Sequence, residues 1–518
     1  LPLVFRNLQG SGFERLTSPP FHRPLTRDQT TLLGVGSLLL TGASNFKDAS
    51  TNAGLVRLYD FQRRAAGDNF PGLPFATGPL ALADIDGDGD LDLFVGGRAL
   101  PGRYPDPPES ILYRNDQGRF SPLQRWPAFA NVSAALFSDL DGDGFPELIL
   151  AADHSPLRVF QRREDSFTEV TEPWGFSPHR GRWNGVATGD FNGDGLLEIV
   201  ASNWGLNAAD RASPDHPRRL YHGDFDHNGT YDLLEARFDP ALGREVPDLP
   251  LNWARHALPF LQQRFPEYAA YAEAGIQEIL GDALTNAQVL EITTLASTLF
   301  QRSGNSYIAS PLPDQAQWAP AFGIAVADFT GNGFEDLFLA QNSSAVAPSQ
   351  TPANAGIGLL LTGDGTGQLQ PVPASVTGIR IHGDQRGCAV SDFDHDGRAD
   401  LAIGRNQQTV QLLRNTTASP GLRIRLLGPA GNPDAIGAQL RLIAGVHRGP
   451  VREIQAGSGF WSQNSPVQIL SLPHALAPQN LWVRWPGGSI TETPIPPGSR
   501  NLIVQSDGTL ADLPHTPR

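Results

Sequence analysis

Five aspartates and two glycines fall within nine residues at Asp84-Ile85-Asp86-Gly87-Asp88-Gly89-Asp90-Leu91-Asp92. Carboxylates at the first, third, fifth and ninth positions of such a loop can turn toward one point. The glycine at the sixth allows the bend, and the seventh residue offers its backbone carbonyl. The result is an oxygen-only cage for a hard cation of calcium's size, built like an EF-hand loop but closed at position nine. Here the ligands are Asp84, Asp86, Asp88, Asp92 and the carbonyl of Asp90. The spacing returns five times. It yields Asp139, Asp141, Asp143, the Phe145 carbonyl and Glu147, and then Asp190, Asn192, Asp194, the Leu196 carbonyl and Glu198. It yields Asp224, Asp226, Asn228, the Thr230 carbonyl and Asp232, and then Asp328, Thr330, Asn332, the Phe334 carbonyl and Asp336. The last set is Asp392, Asp394, Asp396, the Arg398 carbonyl and Asp400.

The loops at Asp84, Asp139 and Asp392 carry the most carboxylate ligands, those at Asp190 and Asp224 one fewer, and that at Asp328 the fewest. Calcium affinity is expected to fall in that order, with the Asp328 loop weakest. Converging carboxylates repel one another without a cation. Six Ca²⁺ ions would take the formal net charge from −15 to −3, so the metal is expected to be structural. His227 and His395 stand at position four of their loops, where the geometry turns a side chain away from the cage.

Other chemistry is sparse. There is no Gly-x-Ser-x-Gly elbow, Walker loop, His-Glu-x-x-His or dinucleotide fingerprint. The single cysteine, Cys388, lies in the apolar run Gly387-Cys388-Ala389-Val390 and reads as a small buried residue. Asn131, Asn228, Asn342 and Asn415 match the glycan-acceptor pattern, expected to be by chance in a bacterial chain. Trp183, Trp204, Trp461 and Trp485 read first as packing residues and second as sugar-stacking surfaces. The balance leans away from catalysis.

The elements that must hold the loops are short strands. Each loop lies between two apolar runs, and hairpins such as Leu112 to Phe120 and Leu157 to Phe167 follow. The run Gly34 to Gly42 has the same shape without the aspartates and reads as a metal-free first copy. Seven such units, each about one four-stranded sheet, close into a ring without a long exposed edge. The expected fold is all-β: a seven-bladed β-propeller over 31–419, after an irregular N-terminal segment, 1–30. A small helical insertion is expected at about 252–294, where Tyr268, Tyr271, Ala272, Ile276 and Ile279 recur at helical spacing. Beyond Pro420 aliphatic residues alternate with Arg or Gln, as in Leu422 to Leu426 and Leu481 to Trp485. This predicts a separate antiparallel β domain over 420–505, with a tail at 506–518.

The loop pattern between apolar strands resembles the FG-GAP or VCBS repeats of integrin-α-like propellers. Asn432 to Ala438, Gly457 to Gln463 and Trp485 to Gly488 resemble the ASPIC/UnbV module of cartilage-acidic-protein-like chains of bacterial type. The resemblance implies a calcium-loaded propeller with an extracytoplasmic address, and it implies no reaction. Net charge −15 argues against nucleic acid as a partner. No apolar run reaches the roughly 18 residues that a membrane helix needs. A start at Leu1, no methionine and one cysteine fit an exported product, so a secreted, extracellular or periplasmic location is expected. The leading expectation is a calcium-stabilised binding or adhesion protein for an extracellular protein or glycan. The alternatives are a carbohydrate-active enzyme with its site at the propeller mouth, and a subunit of an extracellular assembly joined through the C-terminal domain.

Overall fold

The computed structural model describes residues 3–511 except 22–26, 51–55, 68–69, 71, 208–210, 345–350 and 474–475. The chain is mostly β, of propeller type, and its helices are few and short. Blade 1 pairs Asp28–Val35, Leu38–Ser44, Val56–Asp60 and Ala65–Gly67 in chain order. Blade 2 begins with Ala76–Ala83 and Asp92–Ala99, and blade 3 with Val132–Ser138 and Glu147–Ser155. Blade 4 begins with Gly185–Gly189 and Glu198–Ser202, then resumes at Thr298–Ser303 and Ser306–Pro311. Blade 5 begins with Ala321–Ala327 and Asp336–Gln341. Blade 6 has the three strands Gln385–Ser391, Asp400–Arg405 and Gln411–Leu413. The first strands of consecutive blades pack side by side from blade 1 to blade 6. In a meander, successive connections lie at opposite ends. All first-to-second connections therefore gather on one face, and all second-to-third connections on the other.

The seven repeat units do fold as seven sheets, but they are not equivalent. The unit carrying the Asp224 loop is nested inside blade 4, between its second and third strands. Its order is Arg244–Pro247, Asp232–Asp239, Arg218–Gly223, Gln288–Ile292, so its first strand is internal where a blade's first strand is an edge. The expectation of seven like blades thus becomes six blades and one inserted sheet. The loop interval had already signalled this, since only 34 residues separate Asp190 from Asp224. The helical insertion is also corrected. Four short helices span Leu251–Ala257, Leu261–Arg264, Tyr268–Glu273 and Ile276–Leu280. The stretch Gln288–Ile292 is a strand paired with Arg218–Gly223, because its apolar residues complete that sheet. The helices bury Leu251, Leu261, Tyr271 and Ile279 against Leu234 and Ala236 of the sheet. At the N-terminus the expected irregular segment contains a small hairpin, Phe5–Asn7 with Phe13–Arg15.

The C-terminal domain has two sheets. One pair in it, Leu422–Leu427 with Asn501–Gln505, is parallel rather than antiparallel, since the rest of the domain forms the crossover between them. The domain does not hang free. Its Ile424, Leu440, Leu481 and Trp485 share one apolar core with Leu33, Leu80 and Leu93 of blades 1 and 2. Ile443, Val451 and Trp482 join the core of blades 3 and 4.

Its loop 456–465 runs down the axis of the ring and touches the first strand of every blade. Leu82 N–H donates to Ala456 O, Gly459 and Val186 exchange two backbone bonds, and Ser465 N–H donates to Val390 O. Gln463 exchanges two bonds with Gly34, at 2.7 and 2.9 Å. Trp461 Nε1 donates to Ser133 O at 2.8 Å, and Gly459 lies against Ile324 O of blade 5. The channel of the propeller is filled by this loop. Cys388 is buried beside it in blade 6, and burial pushes its thiol pKa up.

Candidate metal centres

Each acidic loop joins the first and second strands of a blade, or of the nested sheet, and a nearly common set of bonds shapes all six. The position-one carboxylate accepts from the N–H of position six: Asp84 from Gly89 at 3.0 Å, Asp190 from Gly195 at 3.0 Å, Asp392 from Gly397 at 3.0 Å. In five loops the position-nine carboxylate accepts from the N–H of position two, as Asp92 does from Ile85 and Asp232 from Phe225, whereas in the Asp328 loop Asp336 accepts from Thr330 at position three. Position five accepts from the N–H of position seven. Asp88 takes it from Asp90, Asp143 from Phe145, Asp194 from Leu196 and Asn228 from Thr230. Asn332 and Asp396 do the same for Phe334 and Arg398. Position four requires a left-handed backbone. Gly87 and Gly142 supply it freely, whereas His227 and His395 adopt φ of 60° and 63°; position four thus shapes the turn.

Four loops gather three carboxylates with their oxygens within 4.8 Å of one another: Asp84, Asp86 and Asp92; Asp139, Asp141 and Glu147; Asp224, Asp226 and Asp232; Asp392, Asp394 and Asp400. These are positions one, three and nine. Asp88, Asp143, Asn228 and Asp396 stand outside those groups. In the remaining two loops the third position is neutral and is drawn into the cage as a donor. Asn192 Nδ2 donates to Glu198 at 3.0 Å and Thr330 Oγ1 to Asp336 at 3.0 Å.

The electrostatics of the loops call for a cation. Burial, reinforced by the neighbouring carboxylates, pushes Asp92 and Asp336 up to about 7, Asp190 and Asp400 to about 6, and Glu198 to about 8. It also raises Asp84, Asp139 and Glu147. Buried oxygens Asp190 Oδ1 and Asp394 Oδ1 have no hydrogen-bond partner. Unpaired carboxylate oxygens converging in a buried turn are the donor set a calcium ion takes, so the residues fit the metal. Bound there, Ca²⁺ would cancel the mutual repulsion and let the carboxylates stay ionised.

Several residues that serve the loops were not singled out in the sequence. Asn115 N–H donates to Asp92 and Asn415 N–H to Asp400, at 2.8 and 2.7 Å. The preceding arginines reach position three, Arg114 to Asp86 and Arg414 to Asp394. The Arg-Asn pair that recurs after the first and last loops, Arg114-Asn115 and Arg414-Asn415, was the available signal. The C-terminal domain supplies others from far along the chain. Arg484 Nη1 lies 3.2 Å from Asp139 Oδ2 and Arg423 Nε 2.6 Å from Asp392 Oδ2. Val451 N–H donates to Asp190 Oδ2 at 2.9 Å. Arg452 pairs with Glu335, next to Asp336, and Gly487 N–H donates to Gly144 O. With Gly431 lying against Asp90 of the first loop, all five ring loops face the C-terminal domain. The Asp224 loop stands apart, with Gly229 open to solvent.

Residues 84–150 and 139–201 match the model of the FG-GAP-like repeat, and residues 428–510 match that of the ASPIC and UnbV domain. The chain carries FG-GAP-like repeats and a C-terminal ASPIC/UnbV domain. A stretch of 136 residues is 32% identical to cartilage acidic protein 1 of Xenopus tropicalis, covering 24% of this chain and 20% of that protein. Only about a fifth of that relative is therefore matched. Among solved structures, the Dos1 propeller aligns over 92% of this chain and 96% of its own at 9% identity and a TM-score of 0.34. Sqt1 of Saccharomyces cerevisiae aligns over 83% and 97%, at 9% identity and 0.31. The loops starting at Asp84, Asp139 and Asp190 lie within the residues matched to the FG-GAP-like repeat, and the plug 456–465 and Arg484 lie within those matched to the ASPIC and UnbV domain.

Proposed function

We propose that this protein is a calcium-stabilised binding protein that works outside the cytoplasm and presents a rigid propeller to an extracellular protein or glycan. One observation carries the reading: the ASPIC/UnbV loop 456–465 fills the axial channel and bonds to first strands around the ring. Small-ligand and substrate sites are concave, and here the axial one is filled by the loop. The acidic loops support the calcium part of the reading, because converging, largely buried carboxylates need a cation to stay ionised together.

A screen of immobilised glycans and matrix proteins, run in calcium and again in chelator, tests the proposal. Saturable binding that weakens in chelator is expected. Binding indifferent to calcium, or turnover of a glycan substrate, would overturn it.

A further inference from the structure

The outer rim of blade 6 is one strand short. Blades 1 to 5 each have four strands or more, whereas blade 6 ends at Gln411–Leu413. Among the described residues no strand pairs with the outer edge of that segment. The start of the missing hairpin is present. In blade 2, Arg114-Asn115 leads through a tight turn to a fourth strand, Arg119–Trp126. In blade 6, Arg414-Asn415 leads instead to Pro420 and the C-terminal domain. Asp394 holds Arg414, and Asp400 and Phe329 O hold Asn415, so the chain leaves along the acidic loop rather than turning back. An edge left open offers free N–H and C=O groups to another strand, and proteins usually cover it.

Elsewhere in the ring the fourth strand also fills the seam with the preceding blade. Phe167 of Ser166–Glu169 is buried with Phe94 and Leu112 of blade 2. Tyr307 of Ser306–Pro311 is buried with Ile149 and Val159 of blade 3. Leu369 of Leu369–Pro371 is buried with Val200 and Leu299 of blades 4 and 5's seam. Blade 6 brings no such residue to its seam with blade 5, and a cavity of about 490 Å³ stands there. Phe338 and Leu360 of blade 5, Leu401 and Leu413 of blade 6, and Ile379 line it. Val376 at its mouth is 73% exposed, and Leu412 on the open edge 46%.

We propose that blade 6 takes its fourth strand from a partner protein. The partner supplies an extended acidic segment whose backbone pairs with Gln411–Leu413 while a large apolar side chain enters the cavity. Main-chain bonds give such a complex its affinity, and the socket gives it specificity. The apolar residue follows from the cavity, the counterpart of the seams that Phe167, Tyr307 and Leu369 fill. The acidic character follows from charge. Segments 365–383 and 401–420, which flank the open edge, hold Arg380, Arg405 and Arg414 and no carboxylate, in a chain of net charge −15. Arg414 is taken by Asp394 and Asp396. Arg380 is exposed. Edge-to-edge pairing with a second copy would bring the same cationic segments together, which disfavours it.

The surface rests on the binding reading and gives it a place and a partner class. The probes are two synthetic peptides: residues 164–171, an acidic strand that carries Phe167, and the same peptide with Phe167→Ser. Calorimetry and hydrogen exchange on the full chain in calcium follow their binding. Saturable binding of the first peptide is expected, with new protection at residues 411–413. Binding should weaken about tenfold or more for the second peptide, and for the first peptide against Val376→Asp or Arg380→Glu chains. Both positions are exposed, so the core is untouched. No saturable binding, binding without protection at 411–413, or binding indifferent to all three substitutions would overturn the proposal. A concentration-dependent dimer in sedimentation that Val376→Asp abolishes would overturn it in favour of a second copy. In each of those cases calcium-dependent binding in the matrix screen would leave the wider reading standing.

Discussion

Arg484 Nη1, on the ASPIC/UnbV domain, lies 3.2 Å from Asp139 Oδ2, in the first residue of an acidic loop 345 residues earlier in the chain. Arg423 stands in the same relation to Asp392. Carboxylates of the candidate metal loops therefore also seat the C-terminal domain. Loop charge and domain docking form one electrostatic system.

Removing calcium should loosen both together. With several buried carboxylates left repelling, chelation is expected to lower the thermal midpoint by about 10 °C or more. It should also expose the connection near residues 414–421 to protease. Calorimetry and limited proteolysis with and without chelator check this, and an unchanged midpoint would remove the structural role from the metal.

Arg484→Ala should cost more without calcium than with it. Asp139 is nearly buried, so in chelator the variant leaves a carboxylate without its cation and loses about 3 kcal/mol. With the ion bound, the loss should fall to about 1 kcal/mol. Urea unfolding in the two buffers measures the difference.

Gly459→Ala tests the plug. Gly459 has φ of +61°, and a Cβ there would stand 2.6 Å from Ile324 O. Backbone strain and the clash with blade 5 should together destabilise by about 2 kcal/mol or more. The axial loop should leave its place, read as lost hydrogen-exchange protection in first strands from several blades at once. Protection lost in blade 5 alone would argue that the loop is a passive filler.

His154 adds an acid-side dependence. Its pKa is depressed to about 4 by burial, against about 6.5 when unfolded. Between those values the unfolded chain binds more protons than the folded one, so stability falls as pH drops from about 6.5 to about 4. This group's share is about 3 kcal/mol at most. His154→Asn should flatten that part of the stability profile relative to the parent. Comparing the two chains separates it from the titration of the calcium carboxylates, which both share.

The metal loops were legible because every bond that shapes them closes within nine residues. Asp84 with Gly89 and Asp92 with Ile85 need only the local sequence. Strand propensity and the repeat interval announced the propeller in the same way. The short step from Asp190 to Asp224 held the clue that one unit was not a blade, but only pairing of Arg218–Gly223 with Gln288–Ile292 shows it nested in another.

Sequence alone determined six acidic turns, their ranking by charge, short apolar strands between them and a change of pattern after Pro420. These follow from local hydrogen bonding and side-chain alternation. Tertiary structure decided that Arg423 and Arg484 reach the loops, that Gly457 to Gln463 fills the axis, and that Arg182 pairs with Glu235 of the nested sheet. Those contacts join residues from 31 to 429 positions apart. No local propensity encodes such pairings; they exist only once the blades have closed around a common core.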